Sequence, residues 1–222
     1  VALIADEEGV PTVRRPYVVN ILRRQLMLFA ASGVPYDFYL AEDVLRNPSL
    51  VKGYRMLCFA HFRSFDRRRE RLVKEVVGDG RTLVFLAEAG VDGGGKATGF
   101  DVDFTEKKLS HSIIPAECSA EDCRPMMEGE ARRHFPEGPL SVPKGPRCTV
   151  KEVAGVKVLA RFASDGAPAL ARLDGEDCVR VYVCEPAGLT PSFFRKLAAE
   201  SGTYVPVGKD GGQVDMNGSF VS

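Results

Sequence analysis

Four short, almost wholly apolar runs constrain this chain more than any other feature, because the segments between them carry apolar residues at helical spacing. The runs are Val1 to Ala5, Tyr36 to Leu40, Met56 to Ala60 and Thr82 to Ala87. A strand that is apolar on both faces needs cover on both faces, and helices in crossover connections supply it; the pattern predicts a parallel sheet of α/β type. Between the first two runs, Val18, Leu22, Leu26, Phe29 and Ala30 line one side of a helix. Asn20, Arg23 and Arg24 lie opposite, Pro16 suits its first turn and Gly33 its stop. Between the third and fourth runs, Phe65, Leu72, Val73 and Val76 repeat the pattern, with Ser64 or Asp66 as cap and Gly78-Asp79-Gly80 as exit. Arg67, Arg68, Arg69, Arg71 and Lys74 then read as the solvated face of that helix.

From Val91 onward the texture changes. Gly93-Gly94-Gly95 opens a stretch rich in Pro, Gly and charge that continues to Pro146. The organisation expected is an α/β core over residues 1–147, with an irregular excursion at 91–147, followed by a β-rich part over 148–222. That second part either completes the sheet or forms a small subdomain. Val156 to Ala163, Ala167 to Leu173 and Cys178 to Val183 read as strands, the first two joined by the turn Ser164-Asp165-Gly166 in antiparallel fashion. A helix follows from Thr190 to Glu200, with Pro191 in its first position, and Tyr204 to Val207 and Gly218 to Val221 read as short closing strands.

Composition excludes several classes of function. Thirty basic residues balance thirty acidic ones, so neither nucleic acid nor an anionic membrane finds an electrostatic footprint. No stretch approaches the roughly 20 apolar residues of a membrane-spanning helix. The chain opens on a strand without Met and without a leader-like segment, which suggests a piece excised from a longer polypeptide. Its six cysteines are too sparse for a disulfide framework. Cys58, Cys178 and Cys184 sit in apolar runs as small hydrophobes, while Cys118 and Cys123 either pair or stay reduced.

In an open parallel sheet, ligands bind beyond the carboxyl ends of the strands. The residues there are Asp6-Glu7-Glu8, Glu42-Asp43, His61-Phe62-Arg63 and Glu88-Ala89-Gly90. Asp6, Glu8, His61, Arg63 and Glu88 could form a polar crevice; they could equally be solvated loop residues. The run Arg81 to Gly90 has the strand-then-small-turn pattern of a nucleophile elbow, yet the turn position carries Glu88 rather than Ser or Cys. His111, Cys118, Cys123 and His134 lack the close pairing of a structural zinc site, so no metal is expected. Gly93-Gly94-Gly95 lacks the Lys-Ser/Thr of a P-loop and the context of a dinucleotide fingerprint, so no cofactor is expected either.

These residues also resemble a family. Gly33 to Asp43, the strand around Met56 to Ala60, and Asp79 to Phe85 with Ala89-Gly90 resemble the trimerisation domain of β-galactosidase-type glycoside hydrolases. Phe162 to Leu170, Leu189 to Arg195, Ser201 to Tyr204 and Asn217 to Phe220 resemble its closing segments, so that the likeness touches most of the chain outside Val91 to Arg147. The resemblance implies a flavodoxin-like, class I glutamine amidotransferase-like sheet beside a catalytic (β/α)8 barrel of the same parent chain, contributing to a homo-oligomer. It further implies that the acid and nucleophile carboxylates belong to the barrel. Glu88 then stands where an amidotransferase carries its Cys, with no matching His-Glu pair, and His61-Phe62-Arg63 replaces the Asn and small residues of many relatives. The function expected is that of a non-catalytic accessory and oligomerisation domain. The alternative is an independent small-molecule-binding or hydrolytic domain using the strand-end crevice.

Overall fold

The structure is a computed structural model that describes residues 1–6, 25–93, 95–109, 113–115, 145–184, 191–206, 216–217 and 220–221. Its centre is an eight-stranded sheet in the order β2-β1-β3-β4-β10-β9-β8-β6. The strands are β1 (Ala2–Ala5), β2 (Asp37–Leu40), β3 (Met56–Ala60), β4 (Arg81–Leu86), β6 (Ile113–Pro115), β8 (Val156–Phe162), β9 (Pro168–Asp174) and β10 (Cys178–Val183). Pairing is parallel from β2 through β10 and antiparallel from β10 through β6. The four strands read from the apolar runs pair in parallel as expected, and the antiparallel strands that join them make the sheet as a whole mixed. The strands after residue 148 extend the sheet because β10 adds beside β4 in register, Cys178 opposite Arg81 and Val183 opposite Leu86.

Alternation along each strand builds two cores. Ile4, Leu57, Phe59, Leu83 and Phe85 face α2 (Ala41–Arg46) and α3 (Arg67–Val76). Leu3, Ala5, Met56, Cys58, Val84, Leu86 and Val181 face the helix α1, described over residues 25–32, and α5 (Pro191–Glu200), with Phe29 and Phe194 meeting at 4.0 Å between ring centroids. Asp66 caps α3 by accepting from the Arg69 amide at 2.8 Å. Gly95, read as loop, starts the one-turn helix α4 (Gly95–Thr98).

The excursion contains order that the sequence did not announce. β5 (Val102–Leu109) and β7 (Gly145–Val150) pair into an antiparallel ribbon, with Phe104 directly opposite Cys148. The ribbon packs over the half of the sheet that α2 and α3 leave uncovered, placing Cys148 and Val150 in one core with Phe162, Ala171 and Tyr182. At the C-terminus, residues 204–206 are not a strand, whereas β11 (Met216–Asn217) and β12 (Phe220–Val221) form a two-stranded pair.

Candidate functional site

Successive strands leave β1 in opposite directions, β2 on one side and β3 on the other, so the topological switch lies between β1 and β3. Asp6 and His61 follow those two strands. The Asp6 amide donates to Ala60 O at 3.0 Å, which ties the end of β1 to the last residue of β3. Its carboxylate is buried and receives Arg69 in a fork, Nε at 2.7 Å and Nη2 at 3.0 Å. The third guanidinium nitrogen, Nη1, reaches Asp66 Oδ2 at 2.9 Å. Arg69 thus leaves the solvated face to which the sequence assigned it. It lies three residues before Leu72 and four after Phe65, and so falls on the apolar stripe of α3.

His61 is buried, and its backbone is left-handed with φ 64°. Burial lowers its imidazole pKa to about 4 against the opposing charge of Asp6, so the ring is neutral at neutral pH. The left-handed residue, followed by a hydrogen bond from Arg63 N to His61 O at 2.7 Å, turns the chain back and returns Phe62 to the core. There the Phe62 ring packs edge-on against Phe59 at 5.2 Å.

The turn after β4 has the strain expected of an elbow, but at Ala87, whose φ is 59°. Glu88 is the next residue along. The Ala87 carbonyl accepts from the Tyr182 hydroxyl at 2.9 Å and from the Cys148 thiol at 3.2 Å; the same hydroxyl lies 2.6 Å from Ala89 O. Burial pushes the Tyr182 phenol well above its ordinary pKa, so it remains a donor. Above the turn, Glu88 is ion-paired with Arg63 Nη1. Arg63 also holds Asp92 by Nε at 2.8 Å and stacks its guanidinium 4.6 Å from the centre of the Phe104 ring.

Of the five crevice candidates, the structure sets Asp6 beside His61 at the switch and Arg63 against Glu88 at the end of β4. Glu8 lies outside the described residues, as do His111, Cys118, Cys123 and His134. Among the described residues no group of three metal-ligating side chains converges. No described helix is long and apolar enough to cross a membrane. Arg69, Ala87, Asp92, Phe104, Cys148 and Tyr182 join the candidates that sequence reasoning selected. The signal for Arg69 was its helical position; the others depend on contacts between distant segments. Chemically, the strained turn presents a methyl group rather than a nucleophile, and both carboxylates next to it are engaged by arginine.

No family model matches this sequence, and no curated protein matches it. Solved structures do. The chain is similar to a β-galactosidase from Bacillus circulans sp. alkalophilus (TM-score 0.62, 13% identity), over 97% of this chain and 34% of that one. It is likewise similar to a catalytic mutant of Gan42B, a GH42 β-galactosidase from G. stearothermophilus (TM-score 0.60, 13% identity), over 93% and 31%. A ThuA-like protein from Bacteroides uniformis matches at TM-score 0.51 and 10% identity, over 96% and 94%. This chain thus spans about a third of the length of those two β-galactosidases and shares the fold of that segment.

Proposed function

We propose that this chain is a non-catalytic accessory and assembly domain of a larger, β-galactosidase-type glycoside hydrolase, seated beside a catalytic (β/α)8 barrel of the same parent and taking part in a homo-oligomer. The observation that carries the reading is the turn after β4: an elbow with strained backbone at Ala87, a methyl group where an acyl-transferring relative displays a thiol, and Glu88 committed to Arg63. The shared fold with one segment of two β-galactosidase chains supports the same reading. A surface for assembly is available at β2, an edge strand with Phe38 43% and Leu40 37% exposed on one face and neither Lys nor Pro to protect it. The test is to assay the purified chain on an aryl galactoside and on glutamine. Turnover of neither is expected, and turnover of either defeats the proposal.

The alternative, an independent small-molecule-binding or hydrolytic domain, draws on the buried, left-handed His61 at the switch point and on the near full-length match to the ThuA-like protein. A His61→Ala or Glu88→Ala variant that stays folded but loses a measurable ligand would favour it.

A further inference from the structure

We infer that Arg180, in the first half of β10 and away from the strand-end crevice, anchors a binding site for a small carboxylate carried on an apolar stem. Arg63, Arg69, Arg81, Arg147, Arg161 and Arg172, all partly or fully buried, each pair with a carboxylate. Arg180 is partly buried too, yet among the described residues no oxygen receives it, and its Nε is sealed from water without an acceptor. A guanidinium so placed gives up hydration without recovering a hydrogen bond or a countercharge, a cost that an anion would offset. With Nε enclosed, the Nη pair is the way in, and its two N–H groups match the two oxygens of one carboxylate.

The surroundings select the ligand. By register Arg180 lies between Leu83 of β4 and Leu173 of β9. Gly99, just past α4 with φ 81°, has no side chain to intrude: a Cβ there would come within 3.2 Å of Arg180 Cδ and 3.3 Å of both Arg180 Nη1 and Leu173 Cδ2. Gly155 lies against the other methyl group of Leu173, where a Cβ would stand 3.7 Å away. Bare backbone thus flanks Leu173 on two sides, and the apolar surface continues through Val156, opposite Leu173 in β8, to Val153, which is 50% exposed. A stem of a few carbons would bury itself along that surface while its carboxylate meets Nη. The carboxylates of Asp101 and Asp174, close by in sequence to Gly99 and Leu173, are already held by Lys151 at 3.0 Å and Arg172 at 2.7 Å. They leave Arg180 unserved, and their charge favours a monoanion over a dianion such as phosphate. The inference is independent of the accessory role proposed above.

The experiment is thermal unfolding of the purified chain titrated with sodium isovalerate, against sodium acetate, inorganic phosphate and sodium chloride at matched ionic strength, for wild type, Arg180→Met and Arg180→Lys. Methionine keeps an apolar stem and removes the unpaired charge, so that variant folds. The expected result in wild type is a rise of the midpoint with isovalerate that saturates and reaches ~3 °C or more. Acetate should give a smaller rise, and phosphate none beyond that of chloride. Arg180→Lys should retain only part of the isovalerate response, and Arg180→Met none of it. No saturable rise in wild type, a rise shared by Arg180→Met, or one that chloride reproduces would overturn the site. Light scattering on the same proteins tells the source of the carboxylate. Self-association weakened in Arg180→Met identifies an acidic side chain of a second copy, whereas unchanged association together with a lost isovalerate response identifies a free acid.

Discussion

Arg69 grips Asp6 across 63 residues of sequence, two parallel hydrogen bonds of 2.7 and 3.0 Å joining the first turn of α3 to the end of β1. Both groups are withdrawn from water, so each depends on the other for its charge to be tolerated there. Arg69→Met, leaving the Asp6 carboxylate buried beside an apolar stem, should lower unfolding stability by about 3–5 kcal/mol in urea titrations. Adding Asp6→Leu should recover most of that loss, because no uncompensated charge then remains. A single variant as stable as wild type would show the pair to be dispensable.

His61 should make stability depend on pH. Its imidazole titrates near 4 when folded and near 6.5 when unfolded, so between those values the unfolded chain holds a proton that the folded chain refuses. The contribution is intact above pH 6.5 and is lost progressively as pH falls toward 4, in total about 3 kcal/mol. His61→Asn tolerates the left-handed backbone and removes the titration, so its stability should fall less steeply than wild type between pH 6.5 and 4. Parallel pH profiles for the two proteins would refute this assignment.

At Ala87 the backbone is strained for any residue with a Cβ, and φ 59° suits glycine. Ala87→Gly should raise the midpoint of thermal unfolding, with a gain of about 1 kcal/mol, whereas Ala87→Val should lose more than about 1 kcal/mol. A destabilised glycine variant would mean that the methyl group does more in packing than the backbone loses in strain.

The edge strand offers a direct probe of assembly. Phe38→Lys places a charge on the exposed face of β2 and should weaken self-association of the chain, measured by light scattering, at an unchanged urea midpoint. Association unaffected by the lysine would move the contact surface elsewhere.

How much of this was legible in the sequence depended on how local the cause was. β3 lies at Met56–Ala60, as its bare apolar run predicts, since a strand enclosed by cover on both sides needs nothing distant to declare itself, and β10 lies at Cys178–Val183, as read from its β-rich composition. The ribbon was hidden because Val102–Leu109 mixes Val, Phe and Leu with Asp, Glu and Lys and finds its partner about forty residues later. Arg69 was concealed among neighbouring arginines that do face water, although its place on the apolar stripe of α3 was there to be counted. The turn after β4 was foreseen, but a pattern of small residues does not say which of two neighbours takes the left-handed backbone. Tertiary contacts from Tyr182 and Cys148 fix it at Ala87.

The position of β10 bears on how the molecule comes into being. It is the seam of the sheet, parallel to β4 on one flank and antiparallel to β9 on the other. During synthesis the rim of β4, apolar on both sides, stays open until a segment made nearly a hundred residues later arrives to cover it. Such late, long-range closure is slow and leaves a sticky border in the meantime. Cutting the polypeptide at residue 147 would make that interim state permanent, and the shortened product should precipitate rather than persist as a smaller folded unit.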